Sequence, residues 1–345
     1  MSDHLELRRI ARALVSNGKG ILAIDESTKT CNARFEKLGI EQSPEQRRAY
    51  RELLLTAPGL QNWISGAILY HETMDQSTSD GRRFVDHMND RGILVGIKVD
   101  TGTVRLAGTE ELITEGLDGL APRVAQYFSD GARFAKWRAV FSITAQSPTS
   151  TAMHANAEAL ARYARICQEA GLVPIVEPEI LTQGSHDIER SRRITECVLH
   201  TVFEHLREHN VDFEAMILKP NMVTPGSGGP AVSVARVAEE TVMALAATVH
   251  VTVAGIAFLS GGQNDVLATQ HLMAMNALDA RMHPWPLTFS YGRALQQAAL
   301  EFWRGEPARH AGAQDLLALR SRANSRAALG SYSADDESPK ALTPA

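Results

Sequence analysis

Short continuous apolar runs, rather than alternating or helically spaced ones, organise this chain. Eight can be picked out, each four to eight residues long, ending near Asp25, His71, Asp100, Val140, Glu179, Asn221, Gly261 and Gly292. Runs of that length, separated by polar or helical stretches of a few tens of residues, are the pattern of parallel strands buried under helices. Antiparallel hairpins would need far shorter connections. Helix signals lie between the runs. Ser43-Pro44-Glu45-Gln46 reads as an N-cap, a first-turn proline and a capping-box glutamine, so a helix should follow. Asn156 to Ala170 is alanine-rich and stops at Gly171, and Ile194, Val198, Val202 and Leu206 recur at every fourth position after Asp187. These units predict an α/β chain folded as a single-domain (β/α)8 TIM barrel over residues 1–330, with an open doubly wound sheet as the competitor that the pattern alone does not exclude. Two segments cannot pack a core. Residues 224–230, rich in glycine and proline, are expected to form a surface loop near the face where strands end, and residues 331–345 a flexible C-terminal tail.

Composition narrows the partners. Of 345 residues 44% are hydrophobic and 22% charged, as in ordinary soluble proteins. A net charge of −5 argues against general nucleic-acid binding or attraction to an anionic membrane, so an anionic substrate must meet a local basic cluster. The start, Met-Ser-Asp-His-Leu-Glu-Leu-Arg-Arg-Ile, lacks the apolar core of a signal peptide, and no membrane-spanning run follows; the expected compartment is the cytoplasm. Cys31, Cys167 and Cys197 show no C-x-x-C spacing and are expected to be reduced thiols. His200, His205 and His209 lie in a charged helical segment without an H-E-x-x-H pattern; they are expected on a solvated face, and no metal site is expected.

The candidate chemistry sits where the runs end. Lys219 closes Ala-Met-Ile-Leu-Lys-Pro-Asn, residues 215–221. Desolvation at the rim of a buried strand lowers an amine's pKa toward the range where a neutral nucleophile can attack a carbonyl and form a Schiff base. A lysine at a strand end also snorkels for no chemical reason, and one lysine does not discriminate. Four further runs end in charge: at Asp25, at Lys98 and Asp100, at Lys136 and Arg138, and at Glu177 and Glu179. In a parallel barrel all these ends open on one face, and residues i and i+2 of a strand point the same way. Either like-charged pair could instead be an ordinary salt-bridge network in the barrel mouth. Two glycine-bearing turns, Ser260-Gly261-Gly262-Gln263 and Ser290-Tyr291-Gly292-Arg293, follow the last two runs, where barrels often hold phosphate on exposed backbone N–H groups.

Together these segments, from Gly-Lys-Gly-Ile-Leu-Ala-Ile-Asp25-Glu-Ser-Thr to Ser-Tyr-Gly-Arg293-Ala-Leu, resemble the class I, Schiff-base fructose-bisphosphate aldolases over about residues 8–330. The resemblance implies that Lys219 forms an imine with the C2 ketone of fructose 1,6-bisphosphate or dihydroxyacetone phosphate. It implies Glu177 as the acid/base residue for carbinolamine dehydration, Glu179 and Lys136 as its neighbours in that network, and Asp25 as the carboxylate that takes the C4 hydroxyl proton. Ser260, Gly261, Ser290, Gly292 and Arg293 match the site for the phosphate on the ketone half, and Ser27, Arg34, Lys98 and Arg138 that for the distal phosphate. No cofactor and no metal are implied, and a homo-oligomer, tetrameric as the family usually is, would be expected.

Two departures from the family pattern stand out. Ala33 replaces a lysine that many members carry just before the residue matching Arg34, and Lys29 lies four residues upstream. The chain ends Pro-Lys-Ala-Leu-Thr-Pro-Ala, without the terminal tyrosine that the best-studied members use for proton exchange at C3, so slower or differently routed exchange is expected. A transaldolase, a monophosphate sugar aldolase or a protein-binding scaffold on the same fold would share parts of this pattern.

Overall fold

The computed structural model describes residues 2–338. Its strands are β1 Gly20–Ile24, β2 Ile64–Leu69, β3 Leu94–Lys98, β4 Gly102–Arg105, β5 Leu112–Glu115, β6 Phe134–Phe141, β7 Val173–Ile180, β8 Ile217–Leu218, β9 Ile256–Phe258 and β10 Leu287–Tyr291. Eight of them pair in parallel and close on themselves in the order β1-β2-β3-β6-β7-β8-β9-β10, with Ile21 opposite Ser290 where the last strand meets the first. The barrel, not the open sheet, is therefore the fold. Each barrel strand ends within three residues of its apolar run.

Unanticipated is the antiparallel hairpin β4–β5, inserted between the third and fourth barrel strands. Its short strands mix polar and apolar residues and are largely exposed, so no continuous apolar run announces it. At the other extreme β8 is only two residues long, yet the ladder runs one step further, because the Lys219 N–H donates to the Val176 carbonyl at 2.8 Å.

Inside the barrel Ile21, Ile68, Phe134, Ile175, Ile217 and Ala257 pack with Leu7, Ile10 and Leu14 of the helix Ser2–Val15, which plugs the end where the strands begin. Phe134 explains a glycine. A Cβ on Gly96 would lie 2.1 Å from its ring, so only glycine on β3 lets the ring fill the interior. With that end plugged by apolar side chains, polar groups gather at the opposite mouth.

The outer helices follow their caps. Ser43 accepts from the Gln46 N–H at 3.2 Å and starts Pro44–Leu55, although the return half of the capping box is missing: Gln46 Oε1 is buried without a partner. Asp187 likewise caps Ile188–Glu208. The helix expected from Asn156 begins earlier, at Ser150, because Thr149 accepts from the Ala152 N–H; it ends at Glu169. Residues 224–230 are stitched to the neighbouring strand-end loop, with Gly226 N–H donating to the His186 carbonyl and Ser227 N–H to that of Thr182.

The flexible tail expected from residue 331 is not what residues 331–338 form. Tyr332 packs against the core and donates its hydroxyl to Glu337 at 2.6 Å, Asp336 is buried and pairs with Arg326 at 3.0 Å, and Glu337 pairs with the buried Arg320. Two arginines on the preceding helix, His310–Ala328, thus hold an acidic turn whose composition resembles a disordered segment. Residues 339–345 lie outside the described residues.

Candidate active site

One cavity of about 1120 Å³ opens at the strand-end mouth of the barrel, and every sequence-derived site residue lines it. At its floor Lys219 Nζ is 3.2 Å from Glu177 Oε1, and Lys136 Nζ bridges Glu177 Oε2 at 3.1 Å to Asp25 Oδ2 at 2.6 Å. Lys219, Lys136 and Glu177 are all buried. Four strands supply this chain of charges. β1 ends just before Asp25, β8 just before Lys219, and Lys136 on β6 lies beside Ile175 of β7, two residues before Glu177.

Electrostatics in the cluster are collective. Burial alone would raise the Asp25 carboxyl, but the ammonium groups of Lys136 and Lys219 overcome it and hold Asp25 down at about 2. Glu177 is lowered in the same way against the same burial penalty. Lys136 is also desolvated, yet Asp25, Glu177 and Asp100 outweigh that cost and raise it above the usual lysine range, so it remains an ammonium. Two lysines and two carboxylates compensate one another out of bulk water, an arrangement in which a proton can move between neighbours without creating a net charge.

Glu179 does not join this cluster. It lies further along β7 and pairs with Arg138, so the structure separates the two glutamates into different ion pairs. On the same side of the cavity Arg34 pairs with Glu26 at 2.5 Å and donates to Gln296 at 2.8 Å, and Lys98 pairs with Asp100 at 2.5 Å. Ser27 is spent as the N-cap of the helix Thr28–Glu36. Glu26 and Asp100 were absent from the sequence-derived site. A signal existed for Asp100, which stands two residues after Lys98 and so on the same side of the chain; none existed for Glu26, whose partners Arg34 and Arg51 are brought to it only by folding.

The opposite side is open. Gly261 and Gly262 follow β9 with φ of +56° and +81°, a left-handed pair that glycine adopts without strain. The helix Arg293–Trp303 starts at Gly292 with no side-chain cap, leaving its first N–H groups facing the cavity mouth. Ser290 Oγ is buried without a partner, and Arg293 carries no ion pair or hydrogen bond among the described residues. Among those residues no cluster of three or more His, Cys, Asp or Glu is placed to hold a metal ion, and no helix is long and apolar enough to cross a membrane.

Comparison with known proteins agrees with this geometry. Residues 6–343 match the family model described as fructose-bisphosphate aldolase class-I, glycolytic. A probable class 1 fructose-bisphosphate aldolase of Xanthomonas campestris pv. campestris is 53% identical over 330 residues, 95% of this chain and 98% of that protein. Cytosolic fructose-bisphosphate aldolase 7 of Arabidopsis thaliana is 52% identical over 328 residues, covering 95% and 91% of the two chains. Among solved structures, the Plasmodium falciparum aldolase, crystallised with TRAP and a small-molecule inhibitor, superposes with a TM-score of 0.95 at 46% identity over 96% of both chains.

Proposed function

Because the chain belongs to the class-I fructose-bisphosphate aldolase family, we propose that Lys219 is the amine through which it carries out that family's reaction. The reaction is the reversible, glycolytic cleavage of fructose 1,6-bisphosphate into dihydroxyacetone phosphate and glyceraldehyde 3-phosphate. Lys219 passes a proton to Glu177, 3.2 Å away, and the freed amine attacks C2 of the ketose. Glu177 returns the proton to the departing carbinolamine hydroxyl, which leaves as water, and a protonated imine remains. Asp25 then takes the C4 hydroxyl proton. The C3–C4 bond breaks, its electron pair flows to the iminium nitrogen, and the aldehyde departs from an enamine. Protonation at C3 and hydrolysis release the second product and restore the amine. Lys136 keeps its ammonium between Asp25 and Glu177 throughout and so holds both carboxylates in position. Glu179 acts on Arg138 rather than on the reacting atoms.

Ser260, Gly261, Ser290, Gly292 and Arg293 bind the phosphate of the ketone half, and Ser27, Arg34, Lys98 and Arg138 the distal one. Two anion sites flanking one amine suit a bisphosphate. The observation that carries the reading is the Lys219–Glu177–Lys136–Asp25 chain at the floor of that cavity. Borohydride reduction with dihydroxyacetone phosphate should leave one stable adduct on Lys219 and none on Lys219→Ala; an unlabelled wild-type protein overturns it. The protein is expected to work in the cytoplasm as a homotetramer, which light scattering on the eluting enzyme would test.

A further inference from the structure

The three cations on the distal side of the cavity are committed within the protein: Arg34 to Glu26, Lys98 to Asp100 and Arg138 to Glu179. Glu26 is further shared with the buried Arg51. An incoming phosphate therefore has to share cations that carboxylates already hold, and each such ion pair offers it little net charge. A fourth carboxylate, Glu301, also lines the cavity, accepting from Gln297 at 2.8 Å.

Lys37 differs from all three. It lines the same cavity, is exposed, and its ammonium makes no hydrogen bond or ion pair among the described residues. Thr30, Ala33, Arg34 and Lys37 recur at three- and four-residue spacing along the helix Thr28–Glu36 and its C-cap, so they share one face, and all four line the cavity. Helical side chains lean toward the helix N-terminus. Here that end starts at Thr28, three residues after Asp25, so position 37 leans back toward Ala33 and the end of the helix nearest the floor. Ala33 presents only a methyl group on that path.

We propose that Lys37 is a specificity-determining residue for the distal phosphate, supplying the uncommitted ammonium that Arg34, Lys98 and Arg138 do not. It rests on the cleavage reaction assigned above. Steady-state kinetics on fructose 1,6-bisphosphate and fructose 1-phosphate test it with wild type, Lys37→Ala, Lys37→Arg and Lys29→Ala. Lys29 sits on the same helix but outside the cavity and controls for general surface charge.

In Lys37→Ala the ratio of kcat/KM for the bisphosphate over the monophosphate should fall about tenfold, the scale of one lost charge-assisted contact, and mainly through KM. Lys37→Arg should restore most of the ratio, and Lys29→Ala should leave it unchanged. The salt dependence of the bisphosphate KM should also weaken in Lys37→Ala. A ratio within twofold of wild type in Lys37→Ala, or an equal fall in Lys29→Ala, overturns the assignment. Borohydride labelling separates the two levels: labelled Lys219 with an unchanged ratio removes this inference alone, whereas unlabelled Lys219 removes the reaction beneath it.

Discussion

Among the described residues, Arg293 at one end of the cavity has no carboxylate to answer, Ser290 keeps a buried hydroxyl unpartnered and a helix begins uncapped; at the other, Arg34, Lys98 and Arg138 are each held by an acid of the chain itself. The first end carries its donors without internal partners, so an anion needs to displace only water there. The second is close to neutral by internal pairing, and an anion must compete. A ligand with two phosphates therefore meets one end ready-made and another that must exchange partners, which predicts that affinity comes mainly from the first and discrimination from the second.

The sharpest way to break this comparison is Arg293→Ala. Removing the unpaired cation should lower kcat/KM by about a hundredfold on bisphosphate and monophosphate alike, the order expected for a charge-assisted contact to phosphate. A loss confined to the bisphosphate would mean that the ends have been assigned the wrong way round.

Between the ends, Asp25 is tested by acid. Its pKa falls from an ordinary 3.8 to about 2 on folding, so its pairing contributes stability above the unfolded value that is lost as pH falls through the folded one. Wild type should therefore lose about 2 kcal/mol between pH 4 and pH 2 that Asp25→Asn does not lose, the linkage equivalent of a shift of that size. Urea unfolding at a series of pH values reads the difference, and parallel curves would show that Lys136 and Lys219 do not hold the carboxylate as the geometry requires.

Glu179→Gln sharpens the contrast further. If Glu179 only restrains Arg138, its neutralisation frees a cation on the distal side, and KM for the bisphosphate should drop about threefold while kcat holds, as for a modest gain in electrostatic attraction. A fall in kcat on both substrates would return Glu179 to the catalytic network. The smallest effect is expected at the C-terminus. Truncation after Ser338 spares the Arg320–Glu337 and Arg326–Asp336 pairs, and exchange of the C3 proton, followed with tritiated dihydroxyacetone phosphate, should change less than about twofold because no tyrosine is removed. A severe loss would give residues 339–345 a part in proton transfer.

Much of this was legible before folding. The eight apolar runs marked the strands, since strands buried on both faces must be continuously apolar, and the caps Ser43 and Asp187 marked helix starts because orphan N–H groups need acceptors. The hairpin β4–β5 escaped because short, exposed strands of mixed polarity carry no continuous apolar run. The helix Ser150–Glu169 starts six residues ahead of the alanine-rich stretch because Thr149 caps it, and a lone threonine is a weak cap signal. Residues 331–338 misled because an acidic, serine-rich stretch looks disordered until Arg320 and Arg326 come within reach.

The order of apolar runs was enough to predict which charged strand ends would meet. Parallel strands closing into a barrel must bring their C-terminal ends to one face, so Asp25, Lys136, Glu177 and Lys219 were expected to converge, while their roles rested on the family resemblance. How the charges divide among partners was set by folding: Lys136 between Asp25 and Glu177, Glu179 with Arg138, Glu26 with Arg34 and Arg51, and the Arg293 and Lys37 side chains with none among the described residues. Pairing depends on distances of a few ångströms between side chains far apart in the chain, and at that range a shift of one strand position separates a bound carboxylate from a free one.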